Sequence, residues 1–376
     1  MISLAPEKLC TGCSACKYAC PQGAIGMCAS AEGFSYPQID ESACISCNKC
    51  QKSCPVLSKA QESNEAEYLA GRHTDDTVRG KSSSGGVFFA LARHTVNSGG
   101  VVFAAGFDKD LRLCHRKAET ADEIYPLMGS KYVESSIENV YEQIDSALKD
   151  QRPVLFVGTP CQTAGVRKIF GFHENLLLAD FVCHGVPSRK LFEKYLCERK
   201  KGEIESINFR DKSMHPTGMQ FTVNYRDKSK YSCPSQFDPY MLAFIQNISL
   251  RRSCTECRFK DKNFASDITL GDAWGIEKTQ NPLRAEKDVS LIITRTQKGK
   301  DLINKLKKSN TLQVEDFSFE EAKVHNPSLV TPSAPNPLRD KYYGDIDRLT
   351  VSSLSKKYCG NSLSAKARRF LARIKK

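Results

Sequence analysis

The sequence predicts a two-part protein of α+β or α/β class: a small cysteine-rich metal module at the N-terminus, then a larger domain built on a mixed sheet. Three observations predict it. Nine of the first 54 residues are cysteine. Further on, short apolar, β-rich runs alternate with helical patterns, the mark of a sheet with helices packed on it. Residues 204–233 read as antiparallel strands and loops, which makes the sheet mixed rather than purely doubly wound.

Eight of those cysteines form the run Cys10-x2-Cys13-x2-Cys16-x3-Cys20-Pro21, repeated at a 34-residue offset as Cys44-x2-Cys47-x2-Cys50-x3-Cys54-Pro55. This is the ligand pattern of a bacterial-type two-cluster ferredoxin, in which the fourth cysteine of each run ligates the other cluster. Cys10, Cys13, Cys16 and Cys54 are expected to hold one [4Fe-4S] cluster, and Cys20, Cys44, Cys47 and Cys50 the second. A structural zinc would need only two Cys-x2-Cys pairs. Disulfides fit poorly too, because Met1 to Leu9 shows no apolar signal segment and a reducing cytoplasm is the expected compartment. Cys28, outside the pattern, reads as a packed thiol.

The ferredoxin occupies residues 1–58, and the polar, acidic stretch 59–67 reads as a linker to a domain over 68–345, divisible into 68–149 and 150–345. Within that domain Val87 to Thr95 suits a helix, and Val101 to Ala105 and Val154 to Val157 suit buried strands. Leu176 to Val182 and Val289 to Thr294 read as further strands. Helical patterns over Leu191 to Arg199 and Gly299 to Lys307 follow them.

No apolar run reaches the roughly 18 to 20 residues needed to cross a bilayer. Of the net charge of +12, nine positive residues follow Asp347 with no acidic one among them, leaving +3 for everything before. Leu363, Ala367, Phe370, Leu371 and Ile374 give the basic tail, 346–376, an apolar stripe at helical spacing. A membrane surface or an acidic protein could bind such a helix, and a solvated or core-docked terminal helix fits equally. Nucleic acid is not expected, because no reader motif accompanies the charge.

Two loops carry further chemistry. In Lys81-Ser82-Ser83-Ser84-Gly85-Gly86, hydroxyls and bare amides precede a helix, which suits a phosphate or pyrophosphate. An ordinary Ser-capped helix with a flexible approach fits as well. In Gly158-Thr159-Pro160-Cys161-Gln162, a strand ends and Pro160 starts a helix, placing Cys161 where α/β sheets hold ligands. Cys183 has the same placement on the next strand, and Arg251-Arg252-Ser253-Cys254-Thr255-Glu256-Cys257-Arg258 adds a Cys-x2-Cys pair among cationic neighbours. These four cysteines form either another cluster site or buried thiols beside a zinc-type turn. Cys114, Cys197, Cys233 and Cys359 have no such context.

The segments Ser82-Ser83-Ser84-Gly85-Gly86-Val87, Gly129-Ser130-Lys131-Tyr132-Val133, Gly158-Thr159-Pro160-Cys161-Gln162, Cys183-His184-Gly185-Val186-Pro187-Ser188, Phe209-Arg210-Asp211-Lys212 and Gly271-Asp272-Ala273-Trp274-Gly275 occur in this order behind the ferredoxin. Together they resemble the coenzyme F420 hydrogenase/dehydrogenase beta-subunit family over residues 1–345, in the compact form of bacterial members associated with surface-polysaccharide biosynthesis. The resemblance implies a flavin-binding domain that holds FAD. It implies that Lys81 to Gly86 contact the flavin phosphates, with Thr159 also at the cofactor and Lys131 at the isoalloxazine or pyrophosphate. It further implies that Cys161, Cys183, Cys254 and Cys257 hold a third [4Fe-4S] cluster. Trp274 either shapes the flavin or substrate pocket or fills the core; Lys131 and His184 are the catalytic candidates, His184 as an acid, with a hydrogen-bonded structural role the stronger reading of His184.

The function so implied is an FAD- and [4Fe-4S]-dependent oxidoreductase, cytoplasmic or peripheral to the inner face of the membrane. It would draw electrons from a donor such as ferredoxin or a reduced deazaflavin and pass them to a small-molecule substrate. The alternative is an electron-input subunit that oxidises reduced F420 or a similar carrier for a partner enzyme. A third reading makes the clusters structural.

Overall fold

A computed structural model describes residues 4–58, 66–212, 219–260 and 265–360. The N-terminal hairpin pairs β1 (Ile25–Ala29) with β2 (Ser35–Ile39), between the short helices Ala15–Tyr18 and Lys49–Lys52. The large domain contains β3 (Glu67–His73), β4 (Val101–Phe107), β5 (Leu113–Ala118), β6 (Val154–Val157), β7 (Leu176–Phe181), β8 (Ile204–Asp211), β9 (Gln220–Tyr225), β10 (Lys230–Pro234), β11 (Ile268–Asp272), β12 (Ser290–Thr294) and β13 (Leu312–Asp316). Eight of these make one sheet in the order β13-β3-β12-β11-β7-β6-β4-β5, and β10-β9-β8 make a separate antiparallel sheet.

The centre of the large sheet is parallel, running β4-β6-β7-β11, with antiparallel strands at both flanks. The parallel strands are apolar throughout because both faces are covered. Val102, Ala104, Leu155, Val157, Leu177 and Ala179 pack against helices Val87–Asn97 and Gln297–Lys308. Val101, Phe103, Val154, Phe156, Leu176 and Leu178 point the other way, onto helices Val140–Lys149 and Pro160–Phe170. Cys13 and Ala15 belong to this second layer, so the first cysteine loop is built into the core.

The expected strands and helices all occur within two residues of their boundaries, and 204–233 does form the antiparallel sheet. Two boundaries move. Glu67, assigned to the linker, already opens β3, while 59–65 lie outside the described residues. The tail is also shorter than 346–376: Ile346, Val351, Leu354 and Cys359 are buried in the cluster around Phe192 and Tyr240. Apolar burial therefore claims the chain as far as residue 359, and the stripe from Leu363 to Ile374 lies outside the described residues. No helix of the described residues is long and apolar enough to cross a membrane.

Where β5 meets the end of β6, His115 stacks on Phe156 and joins Ser135 Oγ and the Val157 carbonyl, both at 2.9 Å. Burial draws its pKa down to about 4. The unfolded chain binds this proton below about pH 6.5, so stability is full above that value and falls as the pH drops toward 4. Between pH 6.5 and 5 the site is expected to cost about 2 kcal/mol. Denaturant titrations of wild type and His115→Gln at these two pH values check this, the variant losing that share of the decline; an unchanged slope assigns the proton to another group.

Candidate functional site

The two cysteine runs fold as a repeat in which the last cysteine of each lines the other's cavity. Gly12 and Ser46 share a left-handed backbone, as do Ser14 and Asn48, each pair 34 residues apart, so each loop turns back around its own thiols. Cys10, Cys13, Cys16 and Cys54 line one cavity, and Cys20, Cys44, Cys47 and Cys50 line another. The backbone N–H of Ala24 also donates to Cys20 Sγ at 3.3 Å. Among the described residues no group of three or more His, Cys, Asp or Glu side chains is arranged to hold a single metal ion. Each set of four sulfurs instead surrounds a space, as a cubane with a thiolate at each corner requires.

The two cavities differ in burial. Cys10, Cys13 and Cys50 are buried, but Cys47 is exposed and Ile45 beside it is 60% exposed. Desolvation pushes the Cys16 thiol up to about 12 and raises Cys10 and Cys13. Iron must therefore supply the charge that deprotonates the inner set. Cys28 is exposed on β1 rather than packed, because strand alternation turns it away from both cavities.

The third group of cysteines is assembled from three separate places. Pro160 opens the helix Pro160–Phe170 and the Gln162 side chain returns to the Thr159 N–H at 3.0 Å, which fixes Cys161 in the first turn. Cys183 follows β7. The Arg251 N–H bonds the Val186 carbonyl at 2.9 Å, and Leu250 bridges Pro187, so the Cys254 and Cys257 segment lies along the chain after Cys183. Each of Cys161, Cys183 and Cys254 lies within electrostatic reach of the others or of Cys257. Burial raises all three thiols, Cys161 to about 11 and Cys254 to about 12. Thr159 Oγ1 lies 3.1 Å from Cys161 Sγ and partly offsets this.

This third group adjoins the inner ferredoxin cavity. Cys54, Cys161 and Cys257 pack against one apolar cluster of Val56, Ala164 and Phe259. Gly165, one turn beyond Cys161, passes so close to Cys13 that an added Cβ would stand 3.2 Å from its sulfur. Tyr141 donates to the Cys13 carbonyl at 2.7 Å beside the same contact.

The remaining motifs gather at the carboxyl edge of the parallel strands, where α/β sheets bind ligands. Ser83 Oγ accepts from the Ser130 N–H at 2.7 Å, joining the first two loops. Arg210 pairs with Asp272 at 2.8 Å, and Lys212 with Asp288 at 2.6 Å. The helix Val87–Asn97 begins at Gly86 with φ +81°, and its first-turn N–H groups have no side-chain cap. Lys81 lies over the Tyr125 ring at 4.4 Å.

Several of these residues also have structural duties. Ser82 Oγ bonds the Val78 carbonyl and Ser84 Oγ bonds Ser290 Oγ. A Cβ on Gly85 would meet the Gly71 carbonyl at 2.6 Å, so backbone packing alone requires glycine there. Lys131 Nζ donates to the carbonyls of Leu127, Met128 and Gly129 at 3.0, 2.8 and 3.1 Å. Desolvation draws its pKa down to about 7, and those three acceptors oppose the loss of its proton. His184 is held by Asn247 Oδ1 at 2.7 Å and edged against Phe244, the structural role expected of it. Trp274 is not a core residue: it is 50% exposed, and Phe181 at the end of β7 is 41% exposed.

Sequence reasoning missed Tyr141, Glu134 and the fastening role of the arginines around Cys254. Arg251 bonds the Cys10 carbonyl, Arg252 pairs with Glu32 at 3.2 Å, and Arg258 bonds the Val56 carbonyl at 2.8 Å. Their run beside a Cys-x2-Cys pair was the available signal, but partners some 200 residues away carry no local trace.

Two four-cysteine cavities in a ferredoxin repeat, fused to a mixed α/β sheet, define an iron–sulfur electron-transfer protein. Residues 9–57 and 36–84 each match a 4Fe-4S dicluster domain. Residues 151–319 match the family described as the C terminus of the coenzyme F420 hydrogenase/dehydrogenase beta subunit. Among solved structures, the chain is similar to one from the F420-reducing [NiFe] hydrogenase complex of Methanosarcina barkeri, at 16% identity and TM-score 0.49, covering 79% of this chain and 91% of that one. No curated protein matches it.

The exchange of ligands has a direct consequence. Cys20→Ser is expected to deplete the cluster in the exposed cavity, with Cys44, Cys47 and Cys50, and to leave the buried one intact. Iron content and the electron paramagnetic resonance spectrum of the reduced protein measure this; loss of the buried cluster instead would refute the pairing.

Proposed function

We propose that this chain is an iron–sulfur flavoprotein oxidoreductase in which electrons enter at the exposed cavity, cross the buried one and a third [4Fe-4S] cluster, and reach FAD at the carboxyl edge of the sheet. The serial arrangement of the three cysteine sets carries the reading. An exposed set is paired with a buried one, and the third set adjoins the buried one where Gly165 approaches Cys13 and where Cys54, Cys161 and Cys257 pack against one apolar cluster. FAD, when bound, converts between single electrons and the two-electron hydride of an organic substrate.

Features of this chain fit such a cofactor. Arg210 Nε is buried without a partner among the described residues, beside the junction of the motif loops. The uncapped first turn of the helix Val87–Asn97 suits the pyrophosphate, with Lys81, Ser83 and Ser130 around it. Exposed Phe181 and Trp274 offer apolar area for a flat ring system or for the substrate. The substrate is a small molecule, and the compact motif set suggests surface-polysaccharide biosynthesis. The family of residues 151–319 favours a second reading, an input subunit oxidising reduced F420 for partner subunits.

Anaerobic purification followed by cofactor extraction and iron analysis tests this. FAD equimolar with protein and iron for three clusters are expected, and bleaching by reduced F420 selects the second reading. Cys257→Ser should keep the flavin and both ferredoxin clusters yet slow their electron exchange, followed by stopped-flow absorbance. Unchanged transfer in the folded variant would remove the third cluster from the route, and protein without flavin would overturn the proposal.

A further inference from the structure

Arg251 is the most conspicuous buried side chain outside the cysteine sets. It is 1% exposed and sits just before the turn that carries Cys254. Its guanidinium reaches into the ferredoxin module, where Nε donates to the Cys10 carbonyl at 2.8 Å and Nη2 to the Ser35 carbonyl at 2.7 Å. Nη1 meets the Glu134 carboxylate, and the planar group lies over the Tyr36 ring at 4.2 Å. A Cβ on Gly12, between Cys10 and Cys13, would stand 3.1 Å from both terminal nitrogens, so the ligand loop itself makes room for the cation. The Cys254 N–H bonds the Arg251 carbonyl at 3.0 Å, so the cation and the Cys254 turn share one short segment.

At Glu134 the cations outnumber the carboxylate. Glu134 is shared between Arg251 and Arg189, whose Nε stands 3.7 Å from it, so two cations face one carboxylate. Reduction adds an electron to an already anionic cluster. Burial opposes that addition, and a nearby cation favours it. With burial alone, the cluster of Cys10, Cys13, Cys16 and Cys54 would be harder to reduce than the one at exposed Cys47, and inward transfer would run uphill.

We infer that Arg251 is a positioning residue for electron transfer: its buried charge, set between the Cys10 loop and the Cys161/Cys254 group, makes the inner ferredoxin cluster a favourable acceptor for the electron held by the outer one. In the step one electron leaves the outer cluster, which is oxidised, and enters the inner cluster, which is reduced. No bond forms or breaks, and a low-potential one-electron donor re-reduces the outer cluster. The effect on the inner ferredoxin cluster is independent of the third cluster. Only its extension to Cys161 and Cys254 rests on the route proposed above.

The test is a dithionite redox titration of the intact holoprotein followed by electron paramagnetic resonance, with the outer signal assigned in Cys47→Ser. In Arg251→Gln the equilibrium between the two clusters is expected to shift at least tenfold toward reduced outer cluster, which is 59 mV for a one-electron couple. The outer midpoint should stay put, and Arg251→Lys should recover most of the shift, because it keeps the charge but not the forked hydrogen bonds. Glu134→Gln, which strips the countercharge, should move the inner midpoint the other way and provides a reading if Arg251→Gln does not fold. Equal midpoints in wild type, Arg251→Gln and Glu134→Gln, with both clusters retained, would overturn the inference. Iron for only two clusters in wild type would instead sink the third-cluster route while leaving this comparison valid.

Discussion

The Cys10–Cys16 loop is packed into the apolar layer beneath helices Val140–Lys149 and Pro160–Phe170, and the carbonyls this burial strands are taken up by Arg251 and Tyr141. A buried carbonyl without a donor costs about 1–3 kcal/mol, so the loop can sit there only because these side chains meet it. The rest of the arrangement depends on that docking. It brings Cys13 against Gly165, one turn from Cys161, and sets Cys54 against the same apolar cluster as Cys257. Glu32 with Arg339 and Arg252 fastens the hairpin at its other end.

Docking one side of a repeat makes its halves unequal. The two cysteine loops share spacing and left-handed turns, yet one is enclosed by the large domain while Ile45 and Cys47 of the other meet solvent. An exposed cluster can exchange electrons with a separate protein, and an enclosed one only with what it touches. The inequality of the two loops is thus a product of packing and not of the ligand pattern.

At the carboxyl edge, structural duties claim much of the motif set. Ser82, Ser84 and Gly85 tie the loop to Val78, Ser290 and β3, and Lys131 closes on the carbonyls of residues 127–129. The first turn behind Gly86 has no side-chain cap, Arg210 Nε is buried without a partner among the described residues, and Phe181 and Trp274 are exposed. Parallel strands ending on one edge are what bring these scattered segments together.

The amino-acid sequence alone determined which cysteines gather at each ferredoxin cavity, because a cubane calls for three thiolates within seven residues and such spacing is local. It also determined the central strands, whose runs are apolar because both faces are covered, and the helix that starts at Pro160. Only the tertiary structure decided that Cys161, Cys183, Cys254 and Cys257 adjoin one another, that Trp274 is exposed, and that residues 346–359 belong to the core. It likewise decided the Arg251–Glu134 pair, whose members stand 117 residues apart. The reason is range: spacing records contacts made within a turn or two of chain, whereas these contacts exist only once separate strands and loops have been packed against each other.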